Sequence, residues 1–103
     1  MDRETFGKVM NKQIDRCVDT LGLKDNEYCK HSEDVLHAIK SAADLQGIPP
    51  KRALAGMMAK HTVSIYNMCA SGHYSEELWT EKITDHINYL LLLKAAAMEE
   101  NEG

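Results

Sequence analysis

Three glycines, Gly22, Gly47 and Gly72, each close a run of apolar residues spaced three and four apart, and this punctuation constrains the chain more than any other feature. A glycine just past such a run marks a helix end, because glycine enters the left-handed conformation of that position without steric cost. Residues suited to starting a helix follow each stop. Ser32 precedes Glu33 and Asp34, Pro50 stands ready for a first helical position, and Ser75 precedes Glu76 and Glu77. The spacing therefore predicts four helices, over about residues 2–21, 33–46, 50–69 and 75–100. The polar segment 24–31 is expected as a loop or turn, and the acidic tail 99–103 as a frayed end.

Each predicted helix carries an apolar face. The first has Phe6, Val9, Met10, Ile14, Cys17, Val18 and Leu21, and the second Val35, Leu36, Ile39, Ala42 and Ala43. The third has Leu54, Met57, Met58, Ile65, Met68 and Cys69, and the fourth Leu78, Trp79, Ile83, Ile87, Leu90 and Leu91. No useful length alternates with period two, so no strand is expected. A chain of 103 residues is one domain. Short connections between the helices predict an all-α, antiparallel four-helix bundle. The fourth helix is apolar nearly all round its axis over 89–93. Either it is central to the bundle, or its extra face is buried in an oligomer; the favoured reading is a homodimer.

Composition excludes several functions. No run approaches the ~20 apolar residues of a membrane span. The charged start, Met1-Asp2-Arg3-Glu4, predicts no signal peptide. Three cysteines without CxxC spacing argue against a disulfide scaffold or zinc knuckle and for the reducing cytoplasm. Cys17 and Cys69 lie on apolar stripes and read as structural, whereas Cys29 falls in the polar segment. Twelve basic against sixteen acidic residues give −4, which argues against a nucleic-acid binder. The five histidines form no HxxxH or HExxH pair, so no zinc site is expected.

The informative polar residues lie on the last two helices. Glu81, Asp85 and Asn88 are spaced i, i+4, i+7 and fall within about 60° of one another on one helix face. The same stripe continues into Leu92 and Ala95, so it is expected to be partly buried. Carboxylates there would suit Mg²⁺, which takes one or two carboxylates, waters and ligand phosphates; a plain solvated face is the competing reading. On the third helix Lys60, Ser64 and Asn67 form a matching stripe, with His61 beside it. Lys60 is expected either to meet phosphate or to form an ordinary ion pair.

These residues carry a family resemblance. The stretch Ala55-Gly56-Met57-Met58-Ala59-Lys60-His61, followed by Glu81-Lys82-Ile83-Thr84-Asp85-His86-Ile87-Asn88-Tyr89-Leu90, resembles the MazG-like, all-α nucleoside triphosphate pyrophosphohydrolases, in particular their small phage and prophage relatives. Asn26-Glu27-Tyr28 and Asp34-Val35-Leu36-His37-Ala38-Ile39 extend the likeness to about residues 26–94. The resemblance implies a four-helix unit that assembles as a dimer or higher oligomer. It also implies a Mg²⁺-dependent site that cleaves a nucleotide between its α and β phosphates. Asp85 matches the last acid of the family's ExxD motif, but Lys82 stands where its glutamate is expected and Glu81 lies one residue away. The family's ExxE motif has no counterpart. On this reading Glu81 and Asp85 hold Mg²⁺, Lys60 and His61 contact phosphate, Asn88 orients the ligand or Asp85, and Tyr89 or Trp79 stacks on a base. The expected function is binding of a nucleotide or related phosphate metabolite in the cytoplasm of a bacterial host, with or without the pyrophosphohydrolase activity that the resemblance implies. The alternative is a non-enzymatic helical protein that binds a host or phage protein.

Overall fold

A computed structural model describes residues 1–28 and 34–102, with side chains placed for 1–22 and 34–102. Four helices follow in order, α1 (Arg3–Tyr28), α2 (His37–Gln46), α3 (Pro50–Ala70) and α4 (Glu76–Glu102), and no strand occurs among the described residues. The all-α expectation holds.

The boundaries show which local signals prevailed. Gly47 ends α2 as expected, at φ 66°, its N–H shared between the carbonyls of Ala43 and Asp44. Pro50 begins α3, and the Ser75 hydroxyl accepts the Leu78 N–H at 3.1 Å to cap α4. Gly22 does not end its helix. It takes no positive φ, and α1 continues to Tyr28, so residues 24–28 are helical instead of a loop. A glycine inside a helix costs only about 1 kcal/mol against alanine, which good helix formers on either side offset. Helix α2 starts at His37, later than expected, because Asp34 organises a turn: its carboxylate accepts the Leu36 N–H at 2.9 Å and its carbonyl the His37 N–H at 3.0 Å. The expected start at Ser32 and Glu33 lies outside the described residues, as does Cys29. The acidic tail is not frayed through Glu102. Glu99 pairs with Lys40, and Glu100 pairs with Lys51 Nζ at 3.3 Å while accepting its backbone N–H at 3.2 Å. Glu100 thus caps the start of α3, where no side chain of α3's own flank does so, and its charge suits a helix N-terminus.

The core lies where α2, α3 and α4 meet. Leu36, Ile39, Leu54 and Ala96 are buried, and Met57, Tyr89, Leu92 and Leu93 pack against them. Contacts pairing Lys51 with Glu100 and His61 with Tyr89 make α3 and α4 antiparallel. Helix α1 packs on α4 and makes no comparable contact with α2 or α3. Helices α3 and α4 are therefore the two inner elements, α3 packed on α2 and α4, and α4 on α3 and α1, yet Leu90 and Leu91 remain about half exposed. The radius of gyration, 15.6 Å, exceeds the ~13 Å of a compact chain this long.

Helix α1 departs most from expectation. Of its apolar stripe only Cys17 is buried, whereas Phe6, Val9, Met10, Ile14 and Val18 are exposed. Cys69, read as structural, is likewise exposed. The cause for α1 is the seam it forms with α4. Gln13 Nε2 donates to Thr84 Oγ1 at 2.6 Å, Asn88 Nδ2 donates to the Cys17 carbonyl at 3.2 Å, and Arg16 pairs with Glu77 at 3.1 Å. The helix turns a largely polar side inward.

Candidate functional site

The α4 stripe is graded in burial. Glu81 is exposed, Asp85 half-buried and Asn88 buried. Helix geometry explains the gradient. Asn88 faces α1 through its bond to the Cys17 carbonyl, and Tyr89 faces α3, its ring centroid 4.9 Å from that of His61. At about 100° per residue, Asp85 falls between these two directions, so it occupies the strip of α4 flanked by α1 on one side and α3 on the other. Glu81 lies one turn earlier on that strip. Asp85 has a polar interaction of its own within the fold.

The α3 residues divide. His61 is half-buried against Tyr89, Ser64 is half-buried, and Lys60 and Asn67 are exposed. Trp79 does not share Tyr89's place on α4. Its ring makes an edge contact with Tyr74 at 6.2 Å, and it lies ten residues before Tyr89, about 15 Å along the helix. Asn88 spends its amide N–H on the backbone of α1.

Among the described residues, three buried side-chain atoms lack a hydrogen-bond partner: His61 Nδ1, His86 Nδ1 and Asn88 Oδ1. Buried polar atoms are nearly always paired, so each such atom needs an explanation, a ligand or bound water among them. His86 and Asn88 point to nearly opposite sides of α4, and His61 lies on α3 with its ring tilted against Tyr89. Sequence reasoning singled out His61 and Asn88 but gave His86 no role. Its position one residue past Asp85 was the only signal.

No group of three or more His, Cys, Asp or Glu side chains among the described residues is arranged to hold a metal ion. Glu81 and Asp85 are the two carboxylates on the strip, the first exposed and the second half-buried. Among the described residues, cavities lie away from this strip. A groove of about 340 Å³ between α1 and α4 is lined by Lys12, Gln13, Arg16, Glu76 and Thr80 among others. A cleft of about 110 Å³ is lined by Leu36, Lys40, Pro50, Ala96, Glu99 and Glu100. Neither is bordered by Glu81, Asp85, Lys60 or His61.

The clearest electrostatic perturbation is also away from the strip. Lys40 bridges Asp34, at 2.6 Å, and Glu99. The hydrogen bond from Lys40, and secondly the Leu36 N–H, hold the Asp34 carboxyl below its ordinary range. Hydrogen bonds to Asp34 and then Glu99 raise the Lys40 ammonium. Periodicity carries no sign of this three-residue cluster, because Glu99 joins it from 59 residues beyond Lys40.

Compared with known proteins, the chain matches no family model, no curated protein and no solved structure. No helix among the described residues is long and apolar enough to cross a membrane.

Proposed function

We propose that this chain binds a nucleotide or related phosphate-bearing metabolite along the strip of α4 between α1 and α3. The observation that carries this reading is unused polar capacity at the two edges of that strip: among the described residues His61, beside Tyr89, buries an Nδ1 with no partner and Asn88 an Oδ1. Polar atoms buried without partners cost stability, and a ligand that satisfied them would recover it. In this reading His61 and Lys60 meet phosphate, Tyr89 offers a ring face, and Asn88 fixes the position of α4 against α1. Glu81 and Asp85 would hold Mg²⁺, which when bound offsets phosphate charge. Pyrophosphate cleavage between the α and β phosphates is the activity that the MazG-like resemblance adds, together with a phage-type origin and a place in the bacterial cytoplasm.

A panel of NTPs and dNTPs, with and without Mg²⁺, tests this by thermal shift and pyrophosphate release. Turnover abolished by Asp85→Ala supports a hydrolase. A shift without turnover, lost in His61→Ala, supports a binder. No shift with any nucleotide overturns the reading. A second reading, a non-enzymatic helical interaction protein, is favoured by one specific observation, the outward apolar side of α1.

A further inference from the structure

We propose that residues 3–21, about the first five turns of α1, form an arm that leaves α4 as a unit, hinged at Gly22, while α2, α3 and α4 stay folded. Opening uncovers Thr84 and Asn88, the α1-side edge of the α4 strip. It needs no ligand, so it stands apart from the nucleotide reading.

Gly22 equips the helix to bend. The apolar spacing ends there and marks a helix stop, yet α1 runs through it. A glycine inside a helix costs helix stability against alanine. Packing does not require it, since a Cβ at Gly22 would meet nothing within 4 Å. What glycine supplies at that position is conformational freedom. With its φ turned positive, the same residue closes a helix that ends at Leu21. The chain is therefore suited to two states, one continuous through Gly22 and one that stops there. Hinges are positions of this kind, where a residue or two absorbs the backbone change.

The seam that holds the arm is light. The apolar cluster of Leu36, Ile39, Leu54 and Ala96, with the side chains packed against it, draws nothing from residues 3–21, so it persists when they leave. Within 3–21 only Cys17 is buried, at 3% exposed. The arm is held by the Gln13–Thr84 and Asn88–Cys17 hydrogen bonds and by the exposed Arg16–Glu77 pair. Each such contact is modest, because its partners regain water on parting. The seam is also incompletely filled. A groove of about 340 Å³ lies between α1 and α4, whereas close-packed interiors hold few voids larger than a water molecule. Asn88, at the same seam, buries an Oδ1 without a partner, and opening gives that atom to solvent.

Cys17 is a built-in reporter, because its thiol is covered while the arm is docked, whereas Cys69 is exposed. The full chain, without nucleotide, is labelled with N-ethylmaleimide across low urea concentrations. Trypsin cleavage after Arg16, Lys24, Lys30, Lys60 and Lys82 places Cys17, Cys29 and Cys69 in separate peptides, so mass spectrometry follows each thiol by itself. Rates are normalised to the same variant unfolded in urea, and global unfolding is followed by circular dichroism. Cys17 should react about 10²–10³-fold more slowly than in the unfolded chain, yet faster than global unfolding permits and with little dependence on urea. Gln13→Ala, which removes the bond to Thr84, should speed Cys17 by about 3–10-fold. Gly22→Ala, which stiffens the hinge, should slow it by about fivefold. Arg16→Ala, at the surface, covers the case in which Gln13→Ala does not fold, and should speed Cys17 by about two- to fivefold. A Cys17 rate that tracks global unfolding at every urea concentration, one with no more protection than Cys69, or one indifferent to the seam and hinge variants would each overturn the proposal. Because no nucleotide is present, failure here is distinct from failure of the α4 strip as a binding site.

Discussion

Leu54→Ala and Ile14→Ala together probe which apolar residues hold the monomer. In sequence the two look alike, each a large aliphatic on a helical apolar face. In the structure Leu54 is fully buried, 0% exposed, in the cluster with Leu36, Ile39 and Ala96, whereas Ile14 is 51% exposed. Truncating a buried leucine loses its transfer free energy and leaves a cavity, about 3–4 kcal/mol together. That is between about a fifth and four-fifths of the roughly 5–15 kcal/mol by which a domain this size is stable. At about 4–8 °C per kcal/mol, the melting temperature should fall by at least ~12 °C. Ile14 is already half in water and leaves no cavity, and alanine is the better helix former, so its truncation should cost less than about 1 kcal/mol. The assay is thermal and urea unfolding followed by far-UV circular dichroism, at a protein concentration low enough to keep the chain monomeric. Equal losses from the two substitutions would refute the division between a buried α2–α3–α4 core and an outward α1 face.

The remaining expectations concern single interactions. Asp34 is held below its ordinary carboxylate range, so its contribution is present above that range and is lost as pH falls through the lowered value; the stability difference between wild type and Asp34→Asn should shrink to nothing on acidification, and a constant difference would contradict the pairing. Lys40 is shifted upward, so its share should instead persist through neutral pH and disappear only on strong alkalinisation, as melts of Lys40→Met against wild type would show. A double-mutant cycle with Gln13→Ala and Thr84→Ala should give a coupling of about 0.5–1.5 kcal/mol, and a coupling of zero would mean that their 2.6 Å hydrogen bond does not hold α1 to α4. Gly47→Ala should destabilise by about 1 kcal/mol in urea titrations, because its φ of 66° strains any residue with a Cβ.

Helix existence was legible because it depends on local chemistry. Pro50, Ser75 and Gly47 fix helix ends by their own backbone and side-chain properties, and all three perform the role that their spacing suggested. Gly22 misled because a glycine is permitted to end a helix but not obliged to; no partner draws it into a positive φ. Side-chain roles that need two helices were hidden. Nothing in a periodicity reveals that Glu99 and Glu100, a charged tail in sequence, reach Lys40 and Lys51 and close the end of the bundle. The α4 stripe was partly legible. Its continuation into Leu92 and Ala95 implied burial, and Asn88 is buried, but the N–H of its amide serves the Cys17 carbonyl. His86 was passed over because a single histidine between aspartate and isoleucine has no spacing to read.

Helix α1 shows why an apolar stripe identifies a helix without identifying what covers it. Its attachment to α4 rests on a few polar contacts. Gln13–Thr84 and Asn88–Cys17 are each worth about 0.5–1.5 kcal/mol net, and the exposed Arg16–Glu77 pair about 0–1 kcal/mol. Sequestering the ridge of Phe6, Met10, Ile14 and Val18 would contribute comparably or more, at ~25 cal/mol per Å² of apolar area removed from water. The orientation seen in one chain is therefore the one that spends α1's polar side on α4 and reserves the stronger, apolar side. The polar contacts to Thr84, Asn88 and Glu77 are what this arrangement gains within the chain.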